Sequence, residues 1–350
     1  MRLLRQSVFI TVLILFNITL LLAQKSTARF LFWPLSAKYT ALGGTGVSYC
    51  NDSFAGYYNP AGFAFSKFSA SGAVVGPYHA YLNTRTIQYS SSIYTSIGAI
   101  GFTLTEFWKE RQMIMDESGT ELGLDGDDFD LFNPTHWEAK LSCAAKINKN
   151  IAFGTNISLL HVKLTEAPLG AEKGKADTYT VLFGAGVMFR NLFKHWTYRP
   201  GWKHQSAFLN NLTDEPISSG LNIGISFKNL GPNIIYIDEA QSDPPPSLLT
   251  AGFSYWPIAS EFFSFMMACD FESYIYDSST LNYIHMGGEL LFGQEIALRT
   301  GYYLDTEEPK TSFVSYGFGL RFLDMWLNFA WYKKDIMYGI HIDAIYKMEF

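Results

Sequence analysis

The sequence predicts an all-β protein, a transmembrane barrel of about fourteen antiparallel strands with a small N-terminal plug segment. Three observations predict this fold class. Beyond residue 66, apolar and polar residues alternate one by one, which is the period of a strand with different surroundings on its two faces. The alternating stretches suit the roughly 9–11 residues that a tilted strand needs to cross a bilayer. The connections alternate between short turns and long loops, as in outer-membrane barrels.

The composition is short of charge and rich in aromatic rings. Lys and Arg number 26 and Asp and Glu 32, so the 350-residue chain has a formal net charge of -6. Charged and aromatic residues each make up 17% of the chain, whereas ordinary soluble domains are about 25% charged. This balance excludes a disordered chain, a coiled coil and a basic protein that binds nucleic acid.

The first 23 residues have the features of a secretory signal peptide. Arg2 and Arg5 precede the apolar run 8–22, and cleavage is predicted after about Ala23. The alternative is a membrane anchor, but the run is short against the about 20 residues of a spanning helix. We therefore predict a location in the outer membrane of a diderm bacterium, with the chain divided into a signal peptide (1–23), a plug segment (24–66) and a barrel (67–350).

The stretch 137–147 shows the alternation most clearly. Trp137 and Leu141 lie on a wholly apolar face, whereas Glu138 and Lys140 lie on a face that carries charges. Such a strand separates lipid from the inside of a barrel. Segmentation at turn residues predicts strands near 67–76, 79–90, 93–105, 137–147, 150–163, 177–190, 217–228, 248–257, 262–273, 282–292, 294–303, 312–323, 325–333 and 337–350.

The connections between these strands form two sets. Tight turns are predicted at 148–149, 293 and 324. Long loops are predicted at 106–136, 164–176, 229–247 and 304–311. The segment 191–216 breaks the alternation, because it is long where a short periplasmic turn is due. Either it is an insertion or the strands are miscounted nearby.

The last strand carries the sharpest single pattern. Alternate residues over 338–350 are all apolar, whereas those between them are mostly polar or charged. A strand of a soluble β-sandwich rarely keeps one face apolar for so long. The ending Tyr346, Met348 and Phe350 resembles the signal that the barrel-assembly machinery recognises, so this machinery and outer-membrane lipid are expected partners.

A glycine-rich motif lies between the signal peptide and the first strand. Its members are Gly43, Gly44, Gly46, Asn51, Asp52, Asn59, Pro60 and Gly62. A phosphate-binding loop would end in Gly-Lys-Ser/Thr and continue into a helix, and this motif does neither. The residue types predict tight backbone packing instead, with glycines where no Cβ fits and Asn59 with Pro60 turning the chain.

This motif ahead of a fourteen-strand barrel resembles the PorV/PorQ family, relatives of the FadL-type transporters. The stretch 220–232, from Gly220 through Asn222 and Gly224 to Pro232, is similar to a second segment of that family. The resemblance implies a component of type IX secretion or of cell-surface attachment. It also implies, as partners, secreted cargo with C-terminal signal domains and other secretion components, which would meet the long loops 106–136, 164–176 and 229–247.

The alternative for the same fold is a FadL-like channel for hydrophobic small molecules. In such a channel the segment 43–62 would act as a hatch in the barrel. A lateral opening would require a kink in a strand. The candidates for that kink are Gly98 with Gly101, or Gly317 with Gly319.

Charged side chains at inward positions are predicted to form a structural network rather than a path for substrate. They are Arg85, Glu138, Lys140, Asp270, Glu289, Arg299, Arg321 and Asp343, with Lys146, Glu272 and Lys347. The acidic loop 106–136 could hold Ca²⁺, but it lacks the glycine and glutamate positions of an EF-hand, which favours a solvated loop. No nucleophile elbow, HExxH or metal-binding cysteine pattern occurs, so no enzyme activity, metal or cofactor is expected.

Overall fold

Each strand pairs with its neighbour along the chain, and the last strand pairs with the first. Together they form a closed barrel of fourteen antiparallel strands, which confirms the predicted fold class. The register of Phe68 with Met348 and of Gly76 with Ile340 closes the sheet, so no strand edge is left open to hydrocarbon. The computed structural model of the protein describes residues 28–32, 35–76, 85–108, 112–113, 131–132, 135–163, 177–198, 220–235, 242–260, 262–275, 282–306, 309–334 and 337–348.

The barrel strands are numbered here in chain order. They are β1 Phe68–Gly76, β2 Arg85–Thr95, β3 Gly98–Trp108, β4 Thr135–Asn148, β5 Ile151–Lys163, β6 Asp177–Leu192, β7 Gly220–Leu230, β8 Leu248–Ala259, β9 Phe263–Tyr274, β10 Asn282–Phe292, β11 Ile296–Asp305, β12 Phe313–Phe322, β13 Met325–Lys334 and β14 Met337–Met348. Two-residue strands pair outside the barrel sheet, Gln112–Met113 with Leu131–Phe132 and Ile234–Ile235 with Ser242–Asp243.

The helices of the described residues are short. They are α1 Ala37–Thr40 and α2 Ala55–Tyr58, with 3₁₀ helices at Arg29–Phe32, Pro60–Phe65, Lys194–Trp196 and Pro309–Thr311. None of these helices is long and apolar enough to cross a bilayer.

The two ends of the barrel differ in their connections. One end carries tight turns at 96–97, 149–150, 293–295 and 323–324 and is called the short-turn end. The connections that follow β1, β3, β5 and β9 lie at the opposite end, which is called the loop end. In outer-membrane barrels the end with the short turns faces the periplasm.

The predicted boundary between the strands at 79–90 and 93–105 is wrong. β2 continues to Thr95, and the turn falls at 96–97. The run of serines at 90–92 has the composition of a turn, but Ser90 and Ser92 are buried on the inward face. The Ser90 hydroxyl donates a hydrogen bond of 2.6 Å to the carbonyl oxygen of Ser53. Contact with the N-terminal segment thus holds these serines in a strand.

The structure describes the anomalous segment 191–216 as far as residue 198. The described part pairs with the end of a barrel strand that would otherwise lack a neighbour. β7 begins at Gly220, so the last residues of β8 extend beyond it. Tyr198 covers this edge: its nitrogen donates to the carbonyl oxygen of Pro257 at 2.9 Å, and its carbonyl oxygen accepts from the nitrogen of Ala259 at 3.0 Å. An edge that would otherwise lack partners is therefore paired.

The outward face of the barrel is apolar. On β4, Leu141 and Cys143 are exposed, whereas Lys140 and Ser142 between them are buried. The last strand repeats this pattern, with Ile340 and Ile342 exposed. Exposed tyrosines stand near the strand ends, where aromatic girdles sit in membrane barrels. Among them are Tyr179, Tyr338 and Tyr346.

Candidate functional site in the lumen

Residues 28–32 and 35–66, the described part of the plug segment, precede β1 and lie inside the barrel. Tyr39, Phe54 and Phe63 have no exposed surface at all. The 3₁₀ helix Pro60–Phe65 packs against β3 to β6, and α1 packs against β12 to β14 on the other side. The plug segment therefore spans the lumen from wall to wall.

The backbone of the plug segment packs directly against the backbone of the barrel wall. A Cβ on Gly43, whose φ is +70°, would lie 2.6 Å from the carbonyl oxygen of Met286 and 2.7 Å from the nitrogen of Tyr302. Within the plug segment itself, a Cβ on Gly62 would overlap the carbonyl oxygen of Cys50. Only glycine allows such an approach. The wall contributes its own glycines at these contacts: Gly154, Gly224 and Gly301.

Other residues of the glycine-rich motif have different surroundings. Gly44 lies against the imidazole ring of His285, and Gly46 lies against the ring of Tyr58. Asn51 is half-buried. The sequence motif therefore combines close backbone contacts with ring packing.

Asn59 joins two parts of the plug segment to the wall. Its side-chain nitrogen donates to the carbonyl oxygens of Val47 at 2.8 Å and Val187 at 3.1 Å. Its side-chain oxygen accepts from the nitrogen of Ala61 at 3.1 Å and so caps the 3₁₀ helix that begins at Pro60. Because Asn59 is fully buried, these bonds replace those that water would make.

Two wall carboxylates hold the plug segment from opposite sides. Asp270 on β9 accepts hydrogen bonds from the nitrogens of Gly46 at 2.7 Å and Val47 at 3.0 Å. Asp343 on β14 accepts from the Ser36 hydroxyl at 2.6 Å and from the nitrogen of Lys38 at 3.2 Å. Hydrogen bonds to an ionised carboxylate are among the stronger ones in proteins.

The ion pairs within the described part of the lumen include four that a lysine or arginine side chain forms. Three join residues of the wall: Lys140 with Glu138 at 3.2 Å, Arg299 with Glu289 at 2.6 Å and Lys228 with Glu272 at 2.9 Å. Lys228 is not among the predicted inward charges, although the polar face of its strand includes it. Lys146 lies 5.6 Å from the centroid of the Phe65 ring in the plug segment.

The fourth ion pair lies within the plug segment. The Lys38 ammonium is 3.0 Å from the Asp52 carboxylate, which also accepts from the Tyr39 hydroxyl at 2.7 Å. Burial alone would raise the pKa of the Asp52 carboxyl, but the Lys38 ammonium and the Tyr39 hydroxyl outweigh it and hold that pKa below its usual value. Lys38 was not anticipated as a partner, because only the fold identifies it.

Two predicted inward charges stand apart from the network. Arg85 is exposed and shares the outward alternation of Tyr89, so its predicted inward position is wrong. At the first position of its strand, a long side chain can reach water from the outward face. Arg321 is inward by alternation but lies at the rim, where its Nε donates to the carbonyl oxygen of Leu323 at 2.9 Å.

Toward the loop end the inward face carries an apolar surface beside the buried Glu138–Lys140 pair. Five buried residues form this surface, which is called the apolar wall: Phe107, Leu160, Val162, Leu182 and Ile234. Residues at the start of the plug segment pack against it. The Phe30 ring lies 4.6 Å from that of Phe107 and stacks on His136 at 4.7 Å, between centroids. Alternation alone did not predict an apolar surface on the inside.

A row of inward aromatic rings continues around the loop end. Centroids of successive rings on β9 to β13 lie 6.2, 5.3, 4.9 and 4.4 Å apart, distances at which aromatic pairs attract each other. The rings are those of Tyr274, Tyr283, Tyr303, Phe313 and Tyr332. Much of the loop end is therefore lined by hydrophobic groups.

The strand pairing is regular at the glycines considered for the kink of a lateral opening. Pairing of β3 with β2 and β4, and of β12 with β11 and β13, runs without a register shift through Gly101, Gly317 and Gly319. Gly98 begins β3 beside the tight turn. The interface of β6 with β7 is different, since it contains two register shifts, one at 183–185 and one at 189–192.

Other expected features concern metals and the C-terminal signal. Among the described residues, no group of His, Cys, Asp and Glu side chains could hold a metal ion. The carboxylates at 117–130, considered for Ca²⁺, lie outside the described residues. Tyr346 and Met348 face outward, and Phe350 lies outside the described residues.

The fold is shared with solved channels for small hydrocarbons. The toluene transporter TbuX of Ralstonia pickettii is similar over 90% of this chain and 98% of its own, with a TM-score of 0.50 and 12% identity. The toluene transporter TodX of Pseudomonas putida is similar over 88% of this chain and 95% of its own, with a TM-score of 0.51 and 13% identity. The monoaromatic hydrocarbon channel CymD is similar over 93% of this chain and 99% of its own, with a TM-score of 0.53 and 12% identity.

These similarities establish the fold of a membrane-spanning barrel. No family model and no curated protein sequence matches the chain. The comparisons therefore give no support to the PorV/PorQ resemblance in particular, since the neighbours above are transporters and channels.

Proposed function

We propose that the protein is an outer-membrane channel that takes up small hydrophobic molecules. The apolar wall at the loop end carries this proposal. A water-filled barrel has a polar interior, whereas here Leu160, Val162 and Leu182 present apolar side chains to the lumen. A ligand that entered from the loop end would bury its own apolar surface against them. The fold shared with toluene transporters supports the same class of cargo.

The start of the plug segment occupies the surface where such a ligand would bind. Phe30 and Leu31 pack against the apolar wall in the place of a ligand. Displacing them exposes apolar side chains that a hydrophobic molecule can cover again, so the exchange costs little free energy. The ligand and residues 28–32 would thus compete for one surface.

We propose that the ligand leaves sideways between β6 and β7. The plug segment blocks a straight path, because Gly43 and Pro60 are in backbone contact with the wall, at Gly301 and Gly154. The two register shifts between β6 and β7 mark the least regular part of the wall. Leu182, a member of the apolar wall, lies beside the first shift on β6.

Uptake by cells with an intact outer membrane tests the main proposal. Expression of the protein is expected to raise the initial rate of accumulation of labelled toluene over that of an empty vector. Val162→Thr keeps the side-chain shape but places a hydroxyl on the apolar wall, and is expected to lower the rate severalfold. Val181→Thr is the matched control, because Val181 is exposed on the outward face. A rate equal to that of the empty vector, at equal amounts of folded protein, would refute the proposal.

The PorV/PorQ-like motifs favour a second candidate, a role in type IX secretion or cargo attachment. The motif residues Gly43, Asn59 and Gly62 pack the plug segment, so the motifs indicate a common fold more than they indicate cargo binding. Co-purification of secreted proteins with C-terminal signal domains would support this role, and unchanged secretion in a deletion strain would exclude it. Outer-membrane lipid and the barrel-assembly machinery are proposed partners under either function.

A further inference from the structure

Three polar side chains face the lumen beside the apolar wall. Thr86 and Gln88 lie on β2, and Thr105 lies on β3 directly opposite Gln88. The same register places Thr86 directly opposite Phe107, a member of the apolar wall. Residues that lie opposite each other in an antiparallel pair have Cα atoms about 4.5–5.5 Å apart. Thr86, Gln88 and Thr105, called the polar patch, therefore adjoin the surface assigned above to the cargo.

The polar atoms of the polar patch are buried and unpaired. Gln88 is 1% exposed, and Thr86 and Thr105 have no exposed surface. Within the described part of the chain, neither the two hydroxyl groups nor the oxygen and nitrogen of the Gln88 amide have a hydrogen-bond partner, and these atoms are out of reach of water. Buried polar groups without partners destabilise a protein, so a ligand that pairs with them gains binding free energy.

The polar side chains one layer deeper in the barrel are paired. The Ser90 hydroxyl donates to the carbonyl oxygen of Ser53 in the plug segment at 2.6 Å and lies 2.7 Å from the Thr103 hydroxyl. At the level of the polar patch, in contrast, the plug segment presents the ring of Phe30, which lies 4.6 Å from that of Phe107. The plug segment thus satisfies the deeper layer with a polar group and meets the outer layer with an apolar one.

The charges beside the polar patch favour a neutral ligand. Glu138 lies directly opposite Thr105 on β4, and its carboxylate is 3.2 Å from the Lys140 ammonium. Lys140 is therefore not available to hold an anion, and Glu138 would repel one. The amide and the hydroxyl groups of the polar patch both donate and accept hydrogen bonds. A hydroxyl group on the cargo has the same two capacities and matches them without a charge.

We propose that the apolar wall and the polar patch together bind small phenols. The aromatic ring of the phenol lies against Phe107 and Leu160, and its hydroxyl group forms hydrogen bonds with Gln88 and Thr105. This inference rests on the proposed function, since it names the cargo of the same site. A hydrocarbon such as toluene leaves the polar patch unpaired, so it binds less tightly than a phenol of similar shape.

Equilibrium dialysis of the purified full-length protein in detergent tests the site with labelled p-cresol. Binding should be saturable, and p-xylene, which has a methyl group in place of the hydroxyl, should compete only at about fivefold higher concentration than unlabelled p-cresol. Gln88→Met and Thr105→Val remove polar atoms at nearly constant volume, and each should weaken p-cresol binding severalfold and reduce the preference over p-xylene. Thr155→Val is the matched control and should change neither, because Thr155 is exposed on the outward face.

Equal competition by p-xylene and p-cresol, or p-cresol binding that neither substitution weakens, would overturn the proposal. Urea unfolding tests a purely structural role. Because the polar atoms are unpaired in the folded protein, neither Gln88→Met nor Thr105→Val should lower the free energy of unfolding. A loss of stability in both variants would mean that these groups have partners within the protein, which would also overturn the proposal.

Toluene uptake by cells that express the wild-type protein separates this inference from the proposed channel. Uptake above that of the empty vector, without a preference for p-cresol in the dialysis, would refute the phenol site and leave the channel standing. Saturable binding of p-cresol that depends on Gln88, without toluene uptake, would refute the channel and leave the phenol site standing.

Discussion

Toward the loop end of the lumen an apolar and aromatic surface lies beside two ion pairs, Lys140–Glu138 and Lys228–Glu272, whereas toward the short-turn end charged side chains such as Arg299 and Glu289 gather around the plug segment. The plug segment meets both surfaces with matching chemistry: Phe30 packs against Phe107, while Lys38 pairs with Asp52 beside the carboxylates of the wall. The two kinds of contact differ in how firmly they fix the plug segment to the wall. Apolar contacts are non-directional, so a ligand can replace them. Hydrogen bonds and close backbone contacts require one geometry, so they fix the plug segment in place.

The largest effect is expected where backbone meets backbone. Gly43→Ala would push a Cβ against the Met286 and Tyr302 backbone in a left-handed conformation, and should cost about 3 kcal/mol or more from overpacking and strain together. Urea unfolding of the detergent-solubilised protein, followed by tryptophan fluorescence, measures this cost.

Gly293→Ala is the matched control for this substitution. Gly293 also has a positive φ, but nothing lies within 4 Å of its added Cβ. Its cost should therefore be the conformational part alone, about 1 kcal/mol. Equal costs at the two positions would show that the plug segment does not depend on close contact at Gly43.

A smaller loss is expected at the carboxylate that holds the plug segment. Asp270→Asn keeps the shape of the side chain but turns a charged acceptor of two backbone N–H groups into a neutral amide, which should cost about 2 kcal/mol. Asp324→Asn, at an exposed turn, should cost less than about 0.5 kcal/mol. The same unfolding measurement compares them, and equal losses would contradict the anchoring role of Asp270.

The sorting of residues on the strands could be predicted from the sequence, because each residue of a barrel strand faces either lipid or lumen. The features that depend on contact with the plug segment could not be predicted from the sequence. Ser90 and Ser92 belong to a run of serines that is typical of a turn, but in the folded protein they are buried on the inward face of β2, next to the plug segment. Lys38 and Asp52 are 14 positions apart, and only folding brings them together. The apolar wall did leave a signal, since Leu159 and Leu160 are adjacent and interrupt the alternation of β5.

At the loop end, a substitution should change function more than stability. Phe30→Ser removes a ring that contacts Phe107 and His136, and so weakens the hold of residues 28–32 on the apolar wall. Toluene uptake should rise about two- to fivefold, as expected if roughly 0.5–1 kcal/mol of competing contact is lost. Phe65→Ser removes a ring of the plug segment that lies 5.6 Å from the Lys146 ammonium and away from the apolar wall, and is not expected to raise uptake. Slower uptake in Phe30→Ser would mean that Phe30 guides the ligand rather than competing with it.

The smallest effect concerns the pH dependence of the Lys38–Asp52 pair. Because the folded pKa of Asp52 is lowered, its contribution to stability is present above the unfolded value of about 3.9 and is lost as the pH falls through the folded value. The folded pKa of Lys38 is raised, so its contribution is lost only as the pH rises above about 10.4. Thermal unfolding of the wild type and Asp52→Asn should therefore differ by a constant amount from about pH 5 to 9, and the difference should shrink toward pH 3. A difference that grew on acidification would mean that Asp52 is protonated in the folded protein, and that the plug segment is held at the short-turn end by neutral hydrogen bonds instead of charge.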